Sequence, residues 1–122
     1  MILSAVTVFC FTFAYSAFAS DISNGSKIFN DNCAACHLGG GNILILEKTL
    51  HKEALSEYLE NYSTDSISAI INQIKNGKNA MPAYKSKLSE QEILEVSAYV
   101  FQKSENGWEK TQEIVQSLNL SS

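Results

Sequence analysis

The feature that most constrains this chain is the run Cys33-Ala34-Ala35-Cys36-His37. Two thiols set two residues apart can each add across a vinyl group of one porphyrin, and the next side chain is then held beneath the iron. C-x-x-C-H is accordingly the attachment pattern of a c-type haem, with Cys33 and Cys36 as thioethers and His37 as the proximal iron ligand. Two other readings stay open on the motif alone. A thioredoxin-like redox pair calls for a βαβ setting, whereas this neighbourhood reads as helix and glycine loop. A structural zinc site wants four tetrahedral nitrogen or sulfur ligands, and Cys33, Cys36 and either His37 or His51 supply three, with no second cysteine pair.

Residues 1–19 carry no charge and end in Ala17-Phe18-Ala19, the small-x-small pattern of a signal-peptidase site. Cleavage after Ala19 is expected, removing Cys10 and leaving 20–108 as the cofactor domain and 109–122 as a C-terminal extension. The segment lacks the Lys or Arg that a standard export signal carries near Met1, so a partial presequence or an uncleaved anchor is the alternative. About 100 residues then remain, enough for a small core that a buried porphyrin would enlarge. All nine lysines and all thirteen acidic residues follow Ala19, so the net charge of −4 belongs to this part. That balance argues against nucleic acid and anionic lipid as partners; it suits steering toward a basic docking patch, or simple solubility. The expectation is a monomer with no stable membrane insertion of the mature chain.

The rest of the chain reads as helices. Asp21 to Asn32 places Ile22, Gly25, Ile28 and Phe29 on one face. Gly39-Gly40-Gly41-Asn42 is a turn, and the apolar run Ile43 to Leu46 is read as cover for one face of the cofactor, with a short buried strand as the alternative. His51, flanked by Leu50 and Lys52, reads as a surface residue. Lys52 to Glu60 makes a second helix with Ala54, Leu55, Tyr58 and Leu59 inward. Ser63, Thr64 or Asp65 caps a third, whose inward face is Ile67, Ile70, Ile71 and Ile74, and Gly77 stops it. Ser89 and Glu92 form a capping box opening a fourth, with Ile93, Val96, Tyr99 and Val100 inward and Asn106-Gly107 as its end. The fold class is all-α, four to five helices around one covalently bound haem.

Between the third and fourth of these helices lies Asn76 to Tyr84, which holds Met81, the one methionine besides Met1. A thioether is a soft ligand, and Pro82 holds its own φ fixed while pushing Met81 toward an extended backbone. Met81 is therefore read as the second axial ligand of the iron. With both axial positions filled, the chemistry left is transfer of one electron, and the chain is read as no enzyme.

These residues resemble a family, the class I c-type cytochromes and within them cytochrome c6 of cyanobacteria and algal plastids. The resemblance runs from about Asp21 to Trp108, and its most specific parts are Cys33 to Gly40, Asn76 to Tyr84 and the ending Ser104-Glu105-Asn106-Gly107-Trp108. It implies the class I cytochrome c fold and a single haem c. It implies that Gly25, Phe29 and Tyr99 lie where the N-terminal and C-terminal helices cross, that Gln73 lies near the haem, and that Lys87 sits at a basic position implicated in docking on photosystem I. It further implies a soluble carrier in the thylakoid lumen that takes electrons from cytochrome f of the cytochrome b6f complex and passes them to photosystem I. A periplasmic or lumenal carrier feeding a terminal oxidase is the alternative. Two departures stand out: the loop after the glycines lacks the proline common before Lys48-Thr49-Leu50, leaving the group that orients His37 unassigned, and residues 109–122 run past Trp108, as a tail or a short docking helix with Ile114, Val115 and Leu118 on one side.

Overall fold

The computed structural model describes residues 22–108; the expectations for residues 1–19 and 109–122 lie outside them. Helix α1 covers residues 22–32, followed by α2 (Ala34–His37), a 3-10 turn (Leu38–Gly40), α3 (Lys52–Tyr58), α4 (Ser66–Asn76) and α5 (Glu90–Asn106). Among the described residues there is no strand, only an isolated antiparallel bridge between Lys78 and Met81. The class is all-α, as the periodicity implies.

The caps are where the sequence places them. Asp65 accepts from the Ser68 amide at the start of α4, and Gly77 ends that helix with φ 62°. Ser89 accepts from the Glu92 amide while the Glu92 carboxylate accepts from the Ser89 amide, a complete capping box. Gly107 closes α5 at φ 92°. A left-handed φ carries no steric cost at glycine, which is why both long helices stop there.

The core is built where α1, α4 and α5 meet: Phe29, Ala69, Ile70, Ile74, Ile93, Val96 and Val100 are buried together. Gly25 is buried against α5, and a Cβ there would run into the Glu95 carbonyl and lie 2.8 Å from the Tyr99 Cβ. Four residues on, Phe29 packs on Tyr99 (centroids 5.4 Å) and on Trp108 (5.2 Å). Trp108 is buried, donates its Nε1–H to the Leu50 carbonyl (3.0 Å) and rests its ring on Gly40. A second tie, the buried pair Tyr62 Oη and Ser104 Oγ at 3.1 Å, joins the α3–α4 connection to the end of α5.

One expectation is corrected and two are refined. Helix α3 stops at Tyr58 rather than Glu60, because Leu59 turns to ψ 115° and Asn61 to φ 65°. Tyr58 is 41 % exposed, with the Lys48 ammonium 5.7 Å from its ring, and both side chains line the cavity described below. The run Ile43 to Leu46 is not the buried strand of the alternative reading: the four side chains are 38–78 % exposed, in a bend held by the Asn42 side chain, whose Oδ1 accepts from the Leu44 and Ile45 amides. Leu44 and Ile45 line the cavity, as cover for one face of a cofactor would.

Candidate functional site

Helix α1 hands its hydrogen-bond ladder directly to the cysteine motif, since the Cys33 amide donates to the Phe29 carbonyl (2.8 Å) and the His37 amide to the Cys33 carbonyl (2.9 Å). Helical spacing then sets Cys33, Cys36 and His37 on one side of the chain, at i, i+3 and i+4. All three line a cavity of about 590 Å³ that also reaches Gln73 and Met81. The structure thus brings every sequence-predicted site residue to one space, although Met81 comes from a loop far along the chain.

His37 is oriented by a group the sequence reading left unassigned. Its Nδ1 lies 2.8 Å from the Gly41 carbonyl, which can only accept, so Nδ1 carries the proton and Nε2 keeps a free lone pair. The carbonyl is held in turn, for the Gly41 amide donates to Leu38 O (3.1 Å) and the Leu50 amide to Gly40 O (2.7 Å). A backbone carbonyl belongs to any residue type and leaves no mark in the sequence. The only signal was the loop length that lets the chain fold back on the imidazole.

Met81 is presented by a tight loop. Lys78 and Met81 exchange amide-to-carbonyl bonds of 3.0 Å in both directions, and the Tyr84 amide donates to Ile74 O (2.9 Å), tying the loop to α4. Gly77 is required here, because a Cβ would meet the Met81 carbonyl and lie 2.7 Å from the Pro82 carbonyl carbon, at a positive φ. Gln73 Nε2 donates to Met81 Sδ at 3.8 Å. Tyr84 Oη donates to Asn32 O (2.9 Å), fastening the far side of the loop to the end of α1.

The residues fit a large, flat, mainly apolar cofactor. The cavity size is in the range of small-molecule sites, about 300–1,000 Å³, and Phe29, Leu55, Ile70, Ile74 and Val100 give it apolar walls. The donors offered are one imidazole, one thioether and two thiols. Burial pushes the Cys33 thiol up to about 11, so it stays protonated at neutral pH, the reverse of the depressed thiol a thioredoxin-like pair relies on. Among the described residues no three of His, Cys, Asp and Glu are grouped to hold a metal ion, which removes the support for a zinc cluster. His51 is not on the cavity wall; it is the half-buried residue that precedes α3.

Comparison with known proteins agrees with this architecture. The family described as cytochrome c oxidase, cbb3-type, subunit III matches residues 20–100. The cytochrome c6 of a Synechococcus species is 52 % identical over 92 residues, 75 % of this chain and 79 % of that one. The cytochrome c6 of Gracilaria tenuistipitata var. liui is 46 % identical over 110 residues, 88 % of this chain and 98 % of its own. Among solved structures, cytochrome c6 from the diatom Phaeodactylum tricornutum superimposes with a TM-score of 0.68 at 52 % identity, covering 71 % of this chain and 98 % of that one.

Proposed function

Since the chain belongs to the cytochrome c6 family of c-type cytochromes, we propose that it is the one-electron carrier from cytochrome f of the cytochrome b6f complex to photosystem I, working in the thylakoid lumen. The family is one of electron carriers whose cofactor is a covalently attached haem c. In this chain Cys33 and Cys36 would hold the porphyrin, and His37 and Met81 would ligate its iron. The observation that carries the reading is the convergence of His37, Met81 and both thiols on one apolar cavity.

When bound, the haem supplies an iron that cycles between Fe(III) and Fe(II). The chain's part is to keep the surroundings the same in both states. Gly41 O fixes the His37 ring and its tautomer, the Lys78–Met81 bridge and Gly77 fix the thioether, and the Gln73 amide is poised at the sulfur. With both ligands held, no coordination site is left for substrate, which makes the protein a carrier and not an enzyme. A partner approaches the exposed edge of the site, and charges around it set the encounter rate; Lys87, exposed beside the Tyr84 ring at 5.4 Å, is one.

The test is flash-induced reduction of oxidised photosystem I by the reduced holoprotein over a range of salt concentrations. Expected is fast reduction that rises with protein concentration and changes with salt. Slow reduction indifferent to salt would overturn the assignment. The match to an oxidase-subunit family makes donation to a terminal oxidase the second reading, and oxygen uptake with an isolated oxidase distinguishes it.

A further inference from the structure

The loop from Leu38 to Leu50 holds five of the seven large apolar side chains exposed among the described residues. Leu38 is 72 % exposed, Ile43 64 % and Leu46 78 %. None of these three lines the cavity, so a cofactor seated in it leaves them open to water. The loop is not a loose segment: Leu50 N is bonded to Gly40 O, Ile43 N to Cys36 O and Lys48 N to Ile45 O. It is a held loop with exposed apolar side chains, and exposed apolar surface concentrated in one segment marks interaction sites.

The chain leaves the described region beside this same loop. Trp108, the last described residue, has its ring on Gly40 and its Nε1–H on Leu50 O, so the chain departs within a side chain's length of the two ends of the loop. Residues 109–122 follow, with Ile114, Val115 and Leu118 at i, i+1 and i+4, one side of a helix. Five residues, 109–113, precede that group and span up to about 17 Å when extended, ample for a loop whose base Trp108 already touches. A segment this short gains helix only by packing an apolar face against something.

We propose that residues 109–122 dock back on the loop, with Ile114, Val115 and Leu118 covering Leu38, Ile43 and Leu46. The extension is then a built-in occupant of an apolar face next to the cofactor site, and any protein that binds that face has to displace it. The inference does not depend on which redox partner the chain serves.

Methyl NMR of the full-length reduced holoprotein tests it. Expected are cross-peaks between the methyl groups of Ile114, Val115 and Leu118 and those of Leu38, Ile43 and Leu46, unchanged on dilution, and shifted Leu38, Ile43 and Leu46 methyl resonances in an I114S/V115S/L118S variant. The reciprocal L46K variant, altered only at an exposed position, is expected to shift the Ile114 and Leu118 methyls toward random-coil positions. Absence of these cross-peaks in the full-length protein, or cross-peaks that appear only between differently labelled copies, would overturn the proposal. Because the readout is contact and not electron transfer, its outcome is independent of the photosystem I assay.

Discussion

At single residues, the site is defined by polar groups that act on the two proposed ligands from behind. Gln73 has its amide N–H on the Met81 sulfur, where it draws on the lone pairs the thioether would share with iron and so favours Fe(II). A hydrogen bond is worth about 0.5–1.5 kcal/mol, and for one electron about 1.4 kcal/mol corresponds to about 59 mV. Gln73→Leu is therefore expected to lower the midpoint potential by about 20–60 mV, measured by redox titration of the haem absorbance; no change would remove Gln73 from a tuning role. Ser97 illustrates the opposite case, a polar group without employment. It is fully buried in α5 and its Oγ has no hydrogen-bond partner among the described residues. A hydroxyl left unsatisfied costs about 1–3 kcal/mol, and alanine is also the better helix former. Ser97→Ala is expected to stabilise the holoprotein by about 1 kcal/mol, read from the denaturant midpoint, and a loss of stability would mean that the hydroxyl does find a partner in solution.

Among elements, the crossing of α1 and α5 decides where the cysteine motif begins, because α1 runs straight into Cys33. Gly25 sets how close the two helices come. In an open helix, alanine would be worth up to about 1 kcal/mol more than glycine. Here the added methyl meets the backbone carbonyl of Glu95, which cannot rotate away as a side chain would, and overpacking of this kind costs about 1–3 kcal/mol. The clash is expected to win, with Gly25→Ala destabilising by about 1–2 kcal/mol in chemical denaturation; an unchanged or higher midpoint would show that the crossing has slack. Helices, caps and this crossing were legible because they rest on local spacing and residue type: the capping box, Asp65, Gly77 and the Phe29 face all fall where the pattern puts them. What stayed out of reach has a common physical origin. Spacing turns Tyr58 and the Ile43 to Leu46 run toward the cofactor, and Tyr58, Leu44 and Ile45 do line its cavity, but how much of each side chain stays exposed depends on where the backbone turns, at Asn61 and at the Asn42 cap. The Gly41 carbonyl was invisible for a related reason, since any residue carries one. Trp108 was noted only as part of a resemblance, yet it joins α5, the glycine turn and Leu50, a role visible only once the chain is folded.

For the molecule as a whole, the cavity is so large a part of the interior that the cofactor has to be counted as core. Helix α2 buries no side chain and α3 buries only Leu55, so the half of the fold around the site has little packing of its own. At about 24 cal/mol per Å³, a void of 590 Å³ would cost roughly 14 kcal/mol, close to the upper end of the total stability of about 5–15 kcal/mol available to most domains. The cavity is open to solvent and the walls would partly collapse, so the real cost is smaller, but a third of that figure, about 5 kcal/mol, already matches the lower end of that range. The C33A/C36A variant, which has no covalent hold on the haem, is expected to lose most of its helical circular dichroism and its cooperative melting when prepared without the cofactor. The α4–α5 pair, joined by Ile70, Ile74, Ile93 and Val96, is the part expected to keep residual helix, because Ile93 and Val96 pack away from the cavity even though Ile70 and Ile74 also form its wall. Native ellipticity with a sharp transition in that variant would mean that the protein holds the cavity open by itself. The site would then be a preformed pocket that receives its cofactor, whereas the packing described above makes attachment the step that completes the fold.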